Sequence, residues 1–586
     1  MSDIISAGYK SPIVSPPGPT PVAPPDPATT APPEVQAVSV VGVSLLYARQ
    51  DHTHRSPTIY WPQGAGPNSN IRGNRLASNS PIGVGVVGAI NLSPDTTGLT
   101  LGVTGNYSGL FAGDANEVAS DYSVILGGQG NVIPAAFSNV FIGAGTSNTA
   151  NGDNAAVLTG NGNFGTGTNA AVVCGEVNVA AGDRSFVGGG ASNTASLDDD
   201  VVCGGAGNQA NAGASGILAG STNSVTGATS AICAGNTNSA TGADGCIAAG
   251  SDNTCGGNYN FVGAGQGNNA AGTRSAIVAG ENNVQNSTDG IICAGTGNTN
   301  GSLDGAIVAG DTNEINAASR CFIGAGDTNL ITDGTSANAS IVAGDGNTID
   351  AGPNCTVPFG VGCSITDSTT CSAGGSLGVI LNATYGVIAG GDQNTIDGSG
   401  LGTNLLYGSI GGGEGNSVVA QAGTVPGGYS AQAYIPGAMA FSSGADVGEE
   451  FWSQTNILTI RGSTPGAGAN ESTELLPYVG LLAARAMVLK SNRSYSCVLQ
   501  VATIRASTGD TRSMLINASV RVDGAGAITI AAQSTVSDVG IGTAYPVTLS
   551  AGAAPTRLSV TLNTGVGNTH AVRVNARIEL VEQATA

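Results

Sequence analysis

A glycine returns every fifteen residues through the middle of this chain, at Gly160, Gly175, Gly190, Gly205, Gly220, Gly235, Gly250, Gly265, Gly280, Gly295 and Gly310. Three residues before each stands a branched aliphatic residue, from Val157 and Val172 to Ile292 and Ile307. Three residues after each stands an asparagine: Asn163, Asn178, Asn193, Asn208, Asn223, Asn238, Asn253, Asn268, Asn283, Asn298 and Asn313. Such a period is too short for a helical hairpin and suits one coil of a narrow β-solenoid, with two strands of roughly four to five residues and two tight turns. Coils stacked ~4.8 Å apart make a rod of roughly 95 Å for some twenty coils. The glycine supplies a positive φ at a corner, and the asparagines form a stacked amide ladder while tolerating a left-handed turn. The phase extends back through Asn116, Ile125 and Gly128 and forward, with small insertions, through Ile341, Gly344 and Asn347 to Ile410, Gly413 and Asn416.

The residues flanking the Ile/Val point to the opposite face of the strand, and they trade volume. Phe141, Phe186, Phe261 and Phe322 are each followed two residues later by glycine, whereas Ala156, Ala171, Ala276 and Ala306 are followed by Leu158, Val173, Val278 and Val308. Compensation of this kind belongs to a confined space. The second packed face therefore meets either copies of the same chain around a common axis or a third layer within one chain. The first option is the more economical and predicts a homo-oligomer with these phenylalanines at the axis.

Four zones follow. Residues 1–38 are Pro-rich and read as an extended attachment arm. Residues 39–113 hold short strands and turns, 114–430 the repeat, and 431–586 alternating strands such as "SCVLQVATIRAS". The expected fold is all-β, a parallel β-roll or solenoid followed by a C-terminal antiparallel β-sandwich. A net charge of −21 leaves no basic stripe for nucleic acid or anionic membranes. No apolar run reaches membrane-spanning length and the N-terminus lacks a secretory signal, so cytoplasmic synthesis without membrane insertion is expected.

The S-x-[AV]-[IV]-x-[AG]-G-x-x-N unit resembles the head repeats of trimeric adhesins, left-handed parallel β-rolls packed around a three-fold axis, and similar stretches occur in bacteriophage fibres. The "GTVPGGYSAQAYIPGAMAF" stretch resembles the junction to the tip of phage tail fibres, and "LLYARQDHTHRS" the Asp-His-x-His segment of such fibres. The resemblance implies a homotrimeric virion fibre assembled in a host cytoplasm. Residues 1–38 would meet a baseplate, tail or capsid protein, and 431–586 a host surface glycan or protein. A bacterial surface adhesin and a polysaccharide-degrading tailspike are the alternatives.

Chemistry-bearing residues are few. In a strand, His52 and His54 would lie on one face, so three chains with these residues on their axis would offer six imidazoles to a transition-metal ion; the other reading is a solvated turn capped by Asp51. No other cofactor is expected. Cys203, Cys233, Cys246 and Cys293 read as small buried apolar side chains, and Cys355, Cys363 and Cys371 as part of an irregular insertion. Acidic residues are scattered and the repeat is nearly free of Trp and Tyr, so no enzymatic activity is expected. Tyr429, Tyr434, Phe451, Trp452 and Tyr478 are the aromatics available to stack on sugars at the tip; sandwich core or inter-chain packing is the other reading, and it is stronger for Phe451 and Trp452.

Overall fold

The computed structural model describes residues 71–72, 86–91, 102–316, 319–332 and 334–443, and towards the C-terminus 453–463, 472–477, 487–491, 493–505, 511–540, 547–551, 557–563 and 572–584. The Pro-rich arm, His52, His54, Phe451, Trp452, Tyr478 and His570 lie outside the described residues.

The chain is all-β, and its repeat winds into a parallel β-solenoid of about 23 turns. Two ladders run its length. In the first, Ala156–Val157 pairs with Ala171–Val172, which pairs with Phe186–Val187, so each Ile or Val sits above its counterpart. In the second, Thr194–Ala195 pairs with Gln209–Ala210 and then Ser224–Val225. The strands of the regular coils are two residues long, shorter than expected, because each coil also contributes a single-residue bridge on a third side, as in Asn161↔Glu176. That side becomes a three-stranded strip at Gly344–Asp345, Gly360–Val361 and Gly375–Ser376. The first ladder begins ahead of the fifteen-residue repeat, at Ile71–Arg72 and Ile90–Asn91.

The asparagine column is fully buried. Asn223 shows why it recurs: its Oδ1 accepts the backbone N–H of Asn238 at 3.0 Å, and its Nδ2 donates to the carbonyls of Gly235 at 2.9 Å and Ala219 at 3.3 Å. One side chain thus satisfies three backbone groups at a corner where the coil turns away from regular pairing. The asparagines are not themselves left-handed; the residue before them is, as at Thr222 (φ 55°) and Thr237 (φ 56°). Gly235 has φ 115°, and a Cβ there would strike both the Gly250 carbonyl and the Asn238 amide. Glycine and asparagine therefore recur together because each occupies the space the other leaves.

The Ile/Val column and a facing column from the second ladder fill the interior. The facing column is small through Ala180, Ala195 and Ala210, is Ile from Ile315 to Ile396, and ends in Val418 and Ala433. Between Ala210 and Ile315 it holds buried Gln285 and Asn300, which pack where Gly290 and Gly305 have no side chain. The stretch expected to be an irregular insertion keeps the coil. Cys363 stands in the asparagine column, its N–H donating to Asn347 Oδ1 at 3.0 Å and its thiol to the Gly375 carbonyl at 3.3 Å. Cys355 and Cys371 stack on successive coils, and the Cys371 N–H donates to Cys355 Sγ at 3.3 Å. All of the cysteines are free.

The rod ends in a tip with a different rule. Its main sheet is antiparallel, in the order Met439–Ser443, Ser453–Ser463, Val572–Ala584, Arg493–Arg505, Thr511–Val522, Ile528–Gly540. A second sheet sets Ser472–Pro477 and Met487–Val488 on one side of Arg557–Asn563 and Val547–Ala551 on the other. Val547, Leu549, Leu558 and Val560 of the second sheet share one core with Leu499, Val501, Ile516 and Ile578 of the first, as a sandwich requires.

Candidate functional site

Among the described residues, a long surface left open by the single chain is the outer face of the first ladder. Alternation turns the residues on either side of each buried Ile/Val outward. From Val124 to Val342 these are almost all apolar, and in the single chain they are half-buried or exposed: Leu218 is exposed by 52%, Val278 by 43% and Phe261 by 40%. Phe186 and Phe322 are exposed on this face and Phe141 is half-buried, so all four phenylalanines expected at an axis lie on one stripe. At one coil per ~4.8 Å the stripe is roughly 70 Å long. Monomeric proteins rarely expose contiguous apolar patches above a few hundred Å².

The glycine following each phenylalanine has a cause within the chain as well. A Cβ at Gly263 would strike the Val278 carbonyl of the next coil and lie 3.3 Å from Cε1 of Phe261; Gly324 repeats this with Val342 and Phe322. In these two coils the ring lies over the glycine two residues on, whereas at Gly143 and Gly188 a Cβ would meet only the backbone of Leu158 and Cys203. The volume trade therefore reflects contact inside one chain in addition to whatever covers the stripe. Cys203 is exposed on the same face and Cys233, Cys246 and Cys293 are half-buried, so these are not interior residues of the single chain. Cys255, by contrast, fills the interior, and burial pushes its thiol up to about 12.

The corner between the ladders carries the rod's polar chemistry. Its left-handed position is occupied by side chains other than glycine, including Arg184 (φ 59°), Asp199 (φ 61°), Arg274 (φ 53°) and Asp289 (φ 59°). Arg184 Nε and Nη2 hold Asp199 of the next coil at 2.6 and 2.7 Å, and Arg274 holds Asp289 at 2.6 Å through both nitrogens. The guanidinium keeps each of these carboxyls below the usual carboxylate range. Tyr107 stacks on Tyr122 and Tyr385 on Tyr407, with ring centroids 5.2 Å apart in both pairs. These are ladders across successive coils, which no motif in the sequence announced.

At the junction with the tip, Gln454 is buried and its side-chain amide stands in for a further coil: Oε1 accepts the Gln432 N–H at 2.5 Å and Nε2 donates to the Gln432 carbonyl at 2.7 Å. Beside it, the Tyr434 hydroxyl donates to buried Glu582 at 2.6 Å and lies 3.1 Å from the Tyr495 hydroxyl, while Arg493 Nε donates to Glu582 at 3.2 Å. Burial, followed by the Glu582 charge, drives both phenols well above the ordinary tyrosine range. The Lys490 ammonium lies 4.6 Å from the Tyr434 ring centroid, and burial lowers its pKa. Tyr434, considered above for sugar stacking, is committed to this network; Tyr429 is exposed.

No family model and no curated protein matches the chain. Among solved structures it is similar to the tailspike protein of Acinetobacter baumannii phage AM24, at 9% identity over 84% of this chain and 78% of that one, with a TM-score of 0.16. It is also similar to tailspike protein gp49 of Acinetobacter baumannii bacteriophage Fri1, a capsular polysaccharide depolymerase, at 8% identity over 81% and 70% and a TM-score of 0.17. A third is the tailspike protein of Acinetobacter phage vB_ApiP_P1, at 11% identity over 85% and 82% and a TM-score of 0.15. At such TM-scores the likeness carries no argument about a site. One expectation is nevertheless corrected: enzymatic activity was excluded from the sequence, whereas the Fri1 protein is described as a depolymerase, and the exclusion is withdrawn.

Proposed function

We propose that the protein is a rigid fibre or spike of a bacteriophage tail, that its copies associate in parallel through the outer face of the first ladder, and that the antiparallel tip meets the host surface. The observation that carries this reading is the apolar stripe, which continues on coil after coil with a near-constant sum of side-chain volumes and so fits an in-register copy of itself. The resemblance of the repeat to trimeric adhesin heads supports three copies. A capped rod puts its last loops farthest from any attachment point, where recognition by loops on a rigid scaffold is usual.

Light scattering of the full chain is expected to give three times the chain mass, and Leu218→Asp, at an outward-facing position of the stripe, to shift assembly towards monomer by placing an unpaired charge in the buried face. A stable monomer would sink the reading. Alkylation of Cys203 supplies an independent measure: its exposed thiol reacts in dissociated chains and is protected in assembled ones. Mass spectrometry of purified particles tests the virion assignment. A tailspike that cleaves polysaccharide uses the same rod and tip equally well, and release of reducing ends from capsular polysaccharide by the full chain separates it from a purely adhesive fibre.

A further inference from the structure

We propose that the outer face of the tip's main sheet carries a binding site for a carboxylate-bearing sugar, centred on Arg577; this rests on the reading of the tip as the host-facing end. Inward-facing Ala576, Ile578 and Leu580 are buried in the sandwich core, so alternation sends Arg577 outward. It stands in the middle of a row, with Thr459 opposite on one neighbouring strand and Gln500 opposite on the other. In the adjacent row Ala502 faces Ser513, and these two small residues leave a shallow depression of about 300 Å³ bordered by Arg577, Gln500 and Thr459.

The guanidinium has hydrogen-bonding capacity to spare. Arg577 is 53% exposed, and its one charged contact among the described residues is Glu579 Oε2 at 3.9 Å, beyond hydrogen-bond reach. The corner arginines Arg184 and Arg274, by contrast, are each closed on an aspartate by two bonds of 2.7 Å or less. A planar fork with open donors takes a carboxylate in bidentate fashion. Gln500 and Thr459 supply donors and acceptors for ring hydroxyls, and the Glu579 carboxylate accepts from a hydroxyl while disfavouring a doubly charged phosphate.

Charge distribution agrees with an anionic ligand at this end alone. Ten of the 18 Lys and Arg but only ten of the 39 Asp and Glu fall within residues 431–586, so the tip is balanced and the whole charge of −21 belongs to the chain before it. An acidic polymer is repelled along the rod and met without repulsion at the tip.

The test is titration of the full chain, followed by ligand-observed NMR, with a hexasaccharide alternating glucuronic acid and N-acetylglucosamine, with sialic acid and with galacturonic acid. The carboxyl-reduced hexasaccharide and glucose 1-phosphate serve as controls. Binding of at least one carboxylated sugar is expected, weakened about tenfold or more in Arg577→Ala and by carboxyl reduction, as for loss of one charge-assisted pair. Ser513→Trp, which fills the depression from an exposed position, should abolish it with circular dichroism unchanged. Carboxylate binding indifferent to Arg577, binding of the phosphate alone, or no binding of any carboxylated sugar overturns the proposal. Adsorption of the full chain to host cells is scored separately. If Arg577→Ala still adsorbs like wild type, the site is wrong and the host-facing tip stands; if the sugar binds through Arg577 and no cell is bound, the site stands and the host-facing reading fails.

Discussion

Rod and tip solve the same problem, satisfying the backbone of a β-rich chain, with opposite use of sequence distance. In the rod each regular coil pairs with residues fifteen positions away through two-residue strands, and every coil restates the same contacts. In the tip, strands of up to 13 residues pair antiparallel, and the last of them, Val572–Ala584, lies between Ser453–Ser463 and Arg493–Arg505 in the middle of the main sheet. A coil needs only its neighbours, so the rod gains stability rung by rung. The main sheet cannot close until Val572–Ala584 has taken its central place, and the same strand brings Glu582 to Tyr434 at the rod's end. Order in the rod is local and repeated; order in the tip is long-range and unique.

The sharpest way to break the rod is at its repeated corner. Gly235→Ala places a Cβ against the Gly250 carbonyl at a φ of 115°. The expected cost is more than about 3 kcal/mol, the sum of backbone strain and a clash that the stacked coil cannot relieve by moving a side chain. Chemical denaturation should show the rod transition displaced and the tip's preserved. Asn238→Ala comes next: it strips the side-chain partner from the Asn253 N–H and the Ala234 carbonyl in a buried corner, at about 1–3 kcal/mol for each unsatisfied group.

Gln454→Ala acts at the boundary and should cost about 1–2 kcal/mol by releasing Gln432 from its cap. Its distinguishing consequence is association: an uncapped ladder edge recruits another, so electron microscopy should find rods joined end to end. If such rods stay separate, the tip rather than the glutamine closes the ladder. The smallest effect belongs to the exposed corner pairs. Arg274 holds the Asp289 pKa down, so its contribution is present above the ordinary carboxylate value of about 3.9 and is lost as pH falls through the lower folded value. Arg274→Ala should return the Asp289 titration, followed by NMR, towards the ordinary range with little change in melting temperature.

The sequence by itself determined the coil. A period of fifteen, a branched aliphatic residue that must be buried, a glycine at one corner and an asparagine that can serve three backbone groups leave one way to wind the chain, and each recurs where the repeat placed it. An antiparallel sandwich after the repeat was legible too, because period-two alternation survives in strands as long as Thr511–Val522. What the repeat could not reveal were relations between columns. Non-glycine residues take left-handed backbone in both corners, as at Thr237 and Arg184, because stacked neighbours supply the hydrogen bonds that offset the strain. Gln285 is accommodated in the core only because Gly290, on the facing side, is empty. Cys363 continues the asparagine column, and Phe261 requires Gly263 because its ring lies over it. In the tip, the central place of the last strand and the row Thr459–Arg577–Gln500 join residues more than seventy positions apart. Periodicity encodes what each residue does relative to its own copy one coil away, whereas contacts between different columns or distant strands have no period and come into being only when the chain closes.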